Sequence, residues 1–183
     1  MYKFTANMYI NRQLENKLEA LSKGFPILSL TGPRQSGKTT LLRHAFTNLP
    51  YLNFEYPDTL ELASSDPRAF MDQYRSGAIF DEIQRFPELF SYLQVYSDEN
   101  PRSKFVISGS QNFLMNQQIT QTLAGRVALL RLLPFSAHEL INAKMASTKS
   151  ESWDIILNGF YPRIHNQSPD LKIFYNSYIQ FFF

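Results

Sequence analysis

Five short apolar runs alternating with stretches of helically spaced apolar residues predict an α/β fold, a parallel sheet of five strands with helices on both faces. Two local features sharpen that expectation. The octapeptide from Gly32 to Thr39, Gly-Pro-Arg-Gln-Ser-Gly-Lys-Thr, is wedged between one apolar run and one helical pattern. A second apolar run, Ala78-Ile79-Phe80, ends in two adjacent acids, Asp81 and Glu82.

The elements follow in chain order. Over residues 10–22, Ile10, Leu14, Leu18 and Leu21 share a helical face. Residues 25–30 have the length of a buried parallel strand, and 39–46 return to helical spacing. Tyr51 to Phe54 form a second strand, closed by Glu55-Tyr56-Pro57-Asp58. Two short helices follow, with Asp58 as the N-cap of the first and Asp66-Pro67 as N-cap and first position of the second. After the strand ending at Asp81, Pro87 starts a helix running through residues 88–96. Residues 104–108 are a fourth strand, 116–123 a helix and 127–132 a fifth strand. Ser136-Ala137-His138-Glu139 has the form of a capping box.

The octapeptide fits G-x-x-x-x-G-K-[ST], a loop whose backbone N–H groups cradle phosphates. Its two glycines allow the turn and the close approach of backbone, and the helix that follows turns its unpaired N–H groups toward the anion. Candidate contacts to a nucleoside triphosphate are therefore Gly32, Pro33, Arg34, Gln35, Ser36, Gly37, Lys38, Thr39 and Thr40. Lys38 would reach the β and γ oxygens, and the Thr39 hydroxyl would ligate Mg²⁺. Arg34 is a weaker candidate, because the variable positions of such loops usually do not touch phosphate. Asp81, at a strand end, suits a place in the metal shell. Glu82, turned at that strand end toward the γ-phosphate, suits the general base that orients and deprotonates a water. A polar side chain near the end of the fourth strand could sense the γ-phosphate; Ser110 is the first choice, with Ser108 and Gln111 as alternates.

Composition sets limits. A chain of 183 residues accommodates one domain with a substantial core. The absence of cysteine excludes disulfides, thiol catalysis and cysteine-ligated zinc. A formal charge of +2 without a basic run gives no indication of nucleic acid. No apolar stretch of membrane-spanning length and no signal peptide is present, so a soluble, cytoplasmic chain is expected. His44, His138 and His165 lie too far apart for metal-ligand spacing and are read as structural.

Taken in order, Gly-Pro-Arg-Gln-Ser-Gly-Lys-Thr-Thr-Leu, Asn-Phe-Glu-Tyr-Pro-Asp, Asp-Glu-Ile-Gln-Arg-Phe-Pro-Glu-Leu-Phe, Ile-Ser-Gly-Ser-Gln, Leu-Ala-Gly-Arg, Leu-Pro-Phe-Ser-Ala-His-Glu-Leu and Gly-Phe-Tyr-Pro-Arg resemble a prokaryotic AAA+-type P-loop ATPase family. The resemblance spans about residues 10–180. It implies a three-layer α/β/α sandwich of AAA+/ASCE type and names ATP and Mg²⁺ as ligands. It also implies that Arg126, in the Gly125-Arg126 pair, reaches nucleotide bound by a neighbouring subunit of a homo-oligomer. An ATPase core over residues 1–145 would be followed by the start of a helical C-terminal region over 146–183. In relatives that region continues into a second domain, so the aromatic end at Phe181-Phe182-Phe183 reads as a truncation. Three activities fit: a Mg²⁺-dependent ATPase, a nucleotide-dependent switch with negligible turnover, or an inactive remnant.

Overall fold

The computed structural model describes residues 9–110, 121–145, 149–167 and 169–182. Packing divides the chain into two units. One comprises Leu14–Arg34 and Lys38–Leu132; the other comprises Met1–Gln13, Gln35–Gly37 and Leu133–Phe183.

The first unit is built on β1 (Ile27–Gly32), β2 (Tyr51–Asn53), β3 (Gly77–Asp81), β4 (Lys104–Ser110) and β5 (Val127–Arg131). All neighbouring strands pair in parallel, in the order β2-β3-β4-β1-β5. The central strands β1, β3 and β4 are almost wholly buried, as expected of continuous apolar runs covered on both faces. At the edges β2 has three residues and β5 alternates buried Ala128 and Leu130 with exposed Leu129 and Arg131. Short or half-polar edges limit pairing with other chains.

Strand alternation sorts the core into two layers. Leu28, Leu30, Ile79, Val106, Ala128 and Leu130 pack with Leu18 of α1 (Leu14–Gly24) and Leu41 and Leu42 of α2 (Lys38–Ala45). Ile27, Phe80, Phe105 and Ile107 pack on the other face with α3 (Pro57–Ser65), α4 (Pro67–Gln73) and α5 (Leu89–Glu99), through Ala63, Phe70, Met71, Leu89, Phe90 and Leu93. Phe54, Phe70, Phe80 and Phe105 form an aromatic file with successive centroids near 6 Å, such as Phe54–Phe80 at 5.9 Å and Phe80–Phe105 at 6.2 Å. Each such side chain, taken fully out of water, contributes roughly 1.5–3 kcal/mol. The three-layer parallel sandwich expected from the sequence is therefore the fold.

Several boundaries differ from the expectation. The first helix starts at Leu14, not residue 10. Its expected start is pre-empted because Gln13 N–H donates to Glu139 Oε1 at 2.7 Å, while Ile10 packs with Phe135, Leu140 and Ile155 instead of with Leu18. Asp58 is not an N-cap. Pro57, with φ already fixed near its helical value, takes the first helical position and moves the cap to Tyr56, leaving Asp58 in the first turn. Asp66 caps α4 as expected, accepting from Ala69 N–H at 2.9 Å. Residues 116–120 of the expected sixth helical pattern lie outside the described residues, as does Gln111.

In the second unit, α6 (Ala137–Asn142), α7 (Lys149–Asn158), α8 (Pro162–Gln167) and α9 (Leu171–Phe182) are helical. The capping box at the start of α6 is complete: Ser136 Oγ accepts from Glu139 N–H at 3.1 Å, and Glu139 Oε2 accepts from Ser136 N–H at 2.8 Å. Tyr161, Phe174 and Tyr178 form an aromatic cluster, with Tyr161 and Tyr178 centroids 4.8 Å apart.

Candidate functional site

β1, β3 and β4 all point their C-terminal ends the same way, so Gly32, Asp81 and Ser108–Ser110 meet at one edge of the sheet. Gly32 leaves β1 where a Cβ would stand 2.1 Å from the Leu132 carbonyl oxygen, closer than any side chain could be accommodated. Gly37 has φ of 95°, which favours glycine. Pro33 is half-buried, while Arg34, Gln35 and Thr40 are exposed.

Lys38 opens α2 and is buried. Its ammonium donates to the Gly32 and Pro33 carbonyls, both at 3.0 Å. Burial lowers its pKa, opposed by the carboxylates of Glu82 and Asp81. A desolvated cation resting on neutral carbonyls favours the arrival of an anion.

One carboxylate gathers donors from four places. Asp81, 2% exposed, accepts the Thr39 hydroxyl at 2.6 Å and the Tyr51 hydroxyl at 2.8 Å on Oδ2. On Oδ1 it accepts Glu82 N–H at 3.1 Å and the Ser108 hydroxyl. Burial raises the Tyr51 pKa, and the hydrogen bond to Asp81 adds to the effect, so its hydroxyl stays a donor. Thr39 and Asp81 are hard oxygen donors within 2.6 Å of each other, chemistry that suits Mg²⁺ sharing its shell with phosphate and water. Among the described residues no group of three His, Asp or Glu could hold a metal unaided. The Ser36 hydroxyl, buried and without a hydrogen-bond partner, is an orphaned donor within the octapeptide, which fits an incoming phosphate oxygen.

Glu82 follows with φ 54° and ψ 42°, the left-handed region, which takes its side chain out of the strand's alternation. Its Oε2 accepts from Gln84 Nε2, which also lies 3.5 Å from Ser110 Oγ. Arg126 stands apart from these groups in its contacts: it makes a two-point ion pair with Asp98, at 2.6 and 2.8 Å, and donates to Ala124 O.

Sequence reasoning missed three residues. Tyr51 was hidden because only the register Asn53↔Asp81 of β2 on β3 reveals its neighbour. Gln84 lies in a 3₁₀ turn, Ile83–Arg85, that no periodicity marks. Arg12 is the third. Its buried guanidinium donates to the Ser36 carbonyl at 2.9 Å, to Leu133 O at 2.6 Å and Pro134 O at 3.2 Å, and pairs with Glu139 at 3.1 Å, with Phe135 4.7 Å beneath it. Across the trans peptide, a Ser36 carbonyl turned to Arg12 sends Gly37 N–H the opposite way. No sequence signal marked it, because Arg12 lies between the polar residues Asn11 and Gln13 and off the apolar stripe.

A family model described as AAA domain matches residues 24–141. Uncharacterized proteins of Mycobacterium tuberculosis and Mycobacterium bovis are each 35% identical over 109 residues, 58% of this chain and 25% of the relative. The chain thus spans about a quarter of the length of those curated relatives. Among solved structures, a Walker-type ATPase of Pyrococcus abyssi superposes with a TM-score of 0.60 at 17% identity, covering 94% of this chain and 72% of that one. A signal-transduction ATPase with numerous domains and a tetratricopeptide repeat sensor, from Pyrococcus horikoshii, gives 0.58 at 15% identity, over 96% of this chain and 33% of that one. These likenesses are of fold. Among the described residues no helix is long and apolar enough to cross a membrane.

Proposed function

The chain belongs to the AAA domain family, and from that premise we propose that its nucleotide-binding, ATPase-like module binds ATP with Mg²⁺ and hydrolyses it. The observation that carries the reading is the 2.6 Å contact between Thr39, in the first turn of α2, and Asp81, 42 residues later at the end of β3. Two parts of the chain supply one pair of oxygens where a metal would sit beside a phosphate.

Thr39 and Asp81 would hold Mg²⁺, which would neutralise negative charge on the phosphates. The residues of the chain divide the remaining work. Lys38 exchanges its two carbonyl acceptors for phosphate oxygens. The N–H groups of the loop from Gly32 to Thr40 and the Ser36 hydroxyl bind further oxygens. Glu82 takes the proton of the attacking water as its oxygen bonds to the γ-phosphorus and the bond to ADP breaks. Ser108 holds Asp81 in place, and Ser110 stands at the strand tip as a γ-phosphate sensor.

A second reading, a nucleotide-dependent switch with little turnover of its own, is favoured by the Arg126–Asp98 pair. While Asp98 holds it, Arg126 lends no charge to nucleotide bound by a neighbouring subunit, so turnover would stay slow unless that pair opens. ADP binding and steady-state hydrolysis over a range of protein concentrations, with Lys38→Ala and Glu82→Gln beside the wild type, test both. Turnover that rises with concentration and vanishes in both variants supports the ATPase. ADP binding without turnover at any concentration leaves the switch, and absence of nucleotide binding contradicts both.

A further inference from the structure

The carboxamide of Gln84 is placed unlike an ordinary surface glutamine. It sits in the 3₁₀ turn after β3, fixed by Arg85 N–H on Glu82 O at 3.0 Å, Phe86 N–H on Ile83 O at 2.9 Å and the fully buried Ile83 side chain. A carboxylate can only accept, so the contact with Glu82 requires the amide nitrogen to face Oε2. That orientation turns the Gln84 carbonyl oxygen the other way. Oε1 is buried and has no donor among the described residues. A buried, unpartnered carbonyl is costly, and a left-handed Glu82 adds backbone strain. Two local costs converge on one pair of side chains.

We propose that Gln84 positions the water that attacks the γ-phosphate, an inference that rests on the nucleotide-hydrolysing reading above. Water has two hydrogens, and once nucleotide entry opens the turn to it the pair supplies two acceptors: a Glu82 carboxylate oxygen and Gln84 Oε1, which is closed to solvent in the unliganded chain. With both hydrogens held, the water's lone pair is left to face phosphorus. On attack, oxygen bonds to the γ-phosphorus, the bridging bond to ADP breaks, and the proton facing Glu82 passes to its carboxylate. The second proton remains on the phosphate formed, and Glu82 later returns its own to solvent. The amide N–H of Gln84 meanwhile keeps the carboxylate aimed, with Ser110 Oγ within 3.5 Å of that same nitrogen.

The test uses Gln84→Met, close in size and without polar atoms, and Gln84→Glu, which keeps an acceptor and loses the donor. ATP turnover is measured with binding of Mg²⁺–ADP, alone and with aluminium fluoride, which mimics the phosphoryl group under attack. ADP affinity and KM are expected to stay within about twofold in both variants. kcat is expected to fall by roughly 100-fold, the scale of a misplaced reacting group, and the tightening of ADP by aluminium fluoride to disappear. A residue that merely supports the turn would alter ADP binding and stability without this split. Wild-type turnover in Gln84→Met, or an undiminished aluminium fluoride effect, would overturn the proposal. So would a wild type that binds ADP and gains nothing from aluminium fluoride, although nucleotide binding would stand. Failure of the wild type to bind ADP would overturn the functional reading itself.

Discussion

Two buried polar webs, one in each packing unit, are built from different materials. Around Asp81 the donors are three hydroxyls, from Thr39, Tyr51 and Ser108, and one backbone N–H. Around Arg12 the partners are a carboxylate and three backbone carbonyls. Hydroxyls rotate and can accept as readily as donate, so the three hydroxyls of the first web can re-pair around an incoming cation. The second web has no such freedom, because removing either ion buries an uncompensated charge. One web is suited to exchange partners and the other to hold the chain in place.

Breaking the rigid web should have the largest effect. Arg12→Ala is expected to destabilise the protein by about 3–5 kcal/mol, measured by urea unfolding, and Arg12→Lys should recover only part of this because an ammonium cannot reproduce the fork of contacts. The exchangeable web should instead respond to ligand. Mg²⁺–ADP at 100 times its Kd is expected to raise stability by about 2.7 kcal/mol, and Lys38→Ala should abolish that gain while barely changing the unliganded melt.

A pH titration sharpens the contrast outside both webs. Burial, with the hydrogen bond to Asp72, pushes Tyr96 up to about 12 from an ordinary value of 10.0. The unfolded chain therefore loses this proton first, and stability should decline from about pH 10 to about pH 12. Tyr96→Phe is expected to flatten part of that decline in thermal melts. At the acid end, burial lowers the His165 pKa below 6.5, against the hydrogen bond to Gly159 O. The unfolded chain gains this proton first, so stability should fall as pH drops below 6.5, and less so in His165→Asn. The smallest effect on stability is expected at Arg126, whose ion pair lies at the surface. Arg126→Ala should leave the melting temperature unchanged, while removing any concentration-dependent part of ATP turnover.

What could be read from the sequence was what local chemistry determines. Gly32 and Gly37 declare a turn between strand and helix by spacing, the run Ala78-Ile79-Phe80 declares a buried strand, and Ser136 with Glu139 declares a helix start. The parallel sheet followed from the alternation of runs. What escaped depended on contacts between residues far apart in the chain. Ile10 continues the helical stripe of Leu14 and Leu18, yet Glu139, 126 residues from Gln13, takes the Gln13 N–H and packs the segment elsewhere. Asp58 has the right chemistry for a cap and loses the position to the geometry of Pro57. Tyr51 and Ser108 acquire their partner only through strand register.

The most direct measurement is calorimetric titration of the 183-residue chain with ADP, with and without Mg²⁺, for the wild type, Lys38→Ala and Asp81→Asn. ADP binding that tightens with Mg²⁺ in the wild type, loses that increment in Asp81→Asn and disappears in Lys38→Ala is the expected result. Equal binding by all three proteins, or Mg²⁺ dependence that survives the loss of the Asp81 carboxylate, would contradict the assignment of this web to the metal and nucleotide.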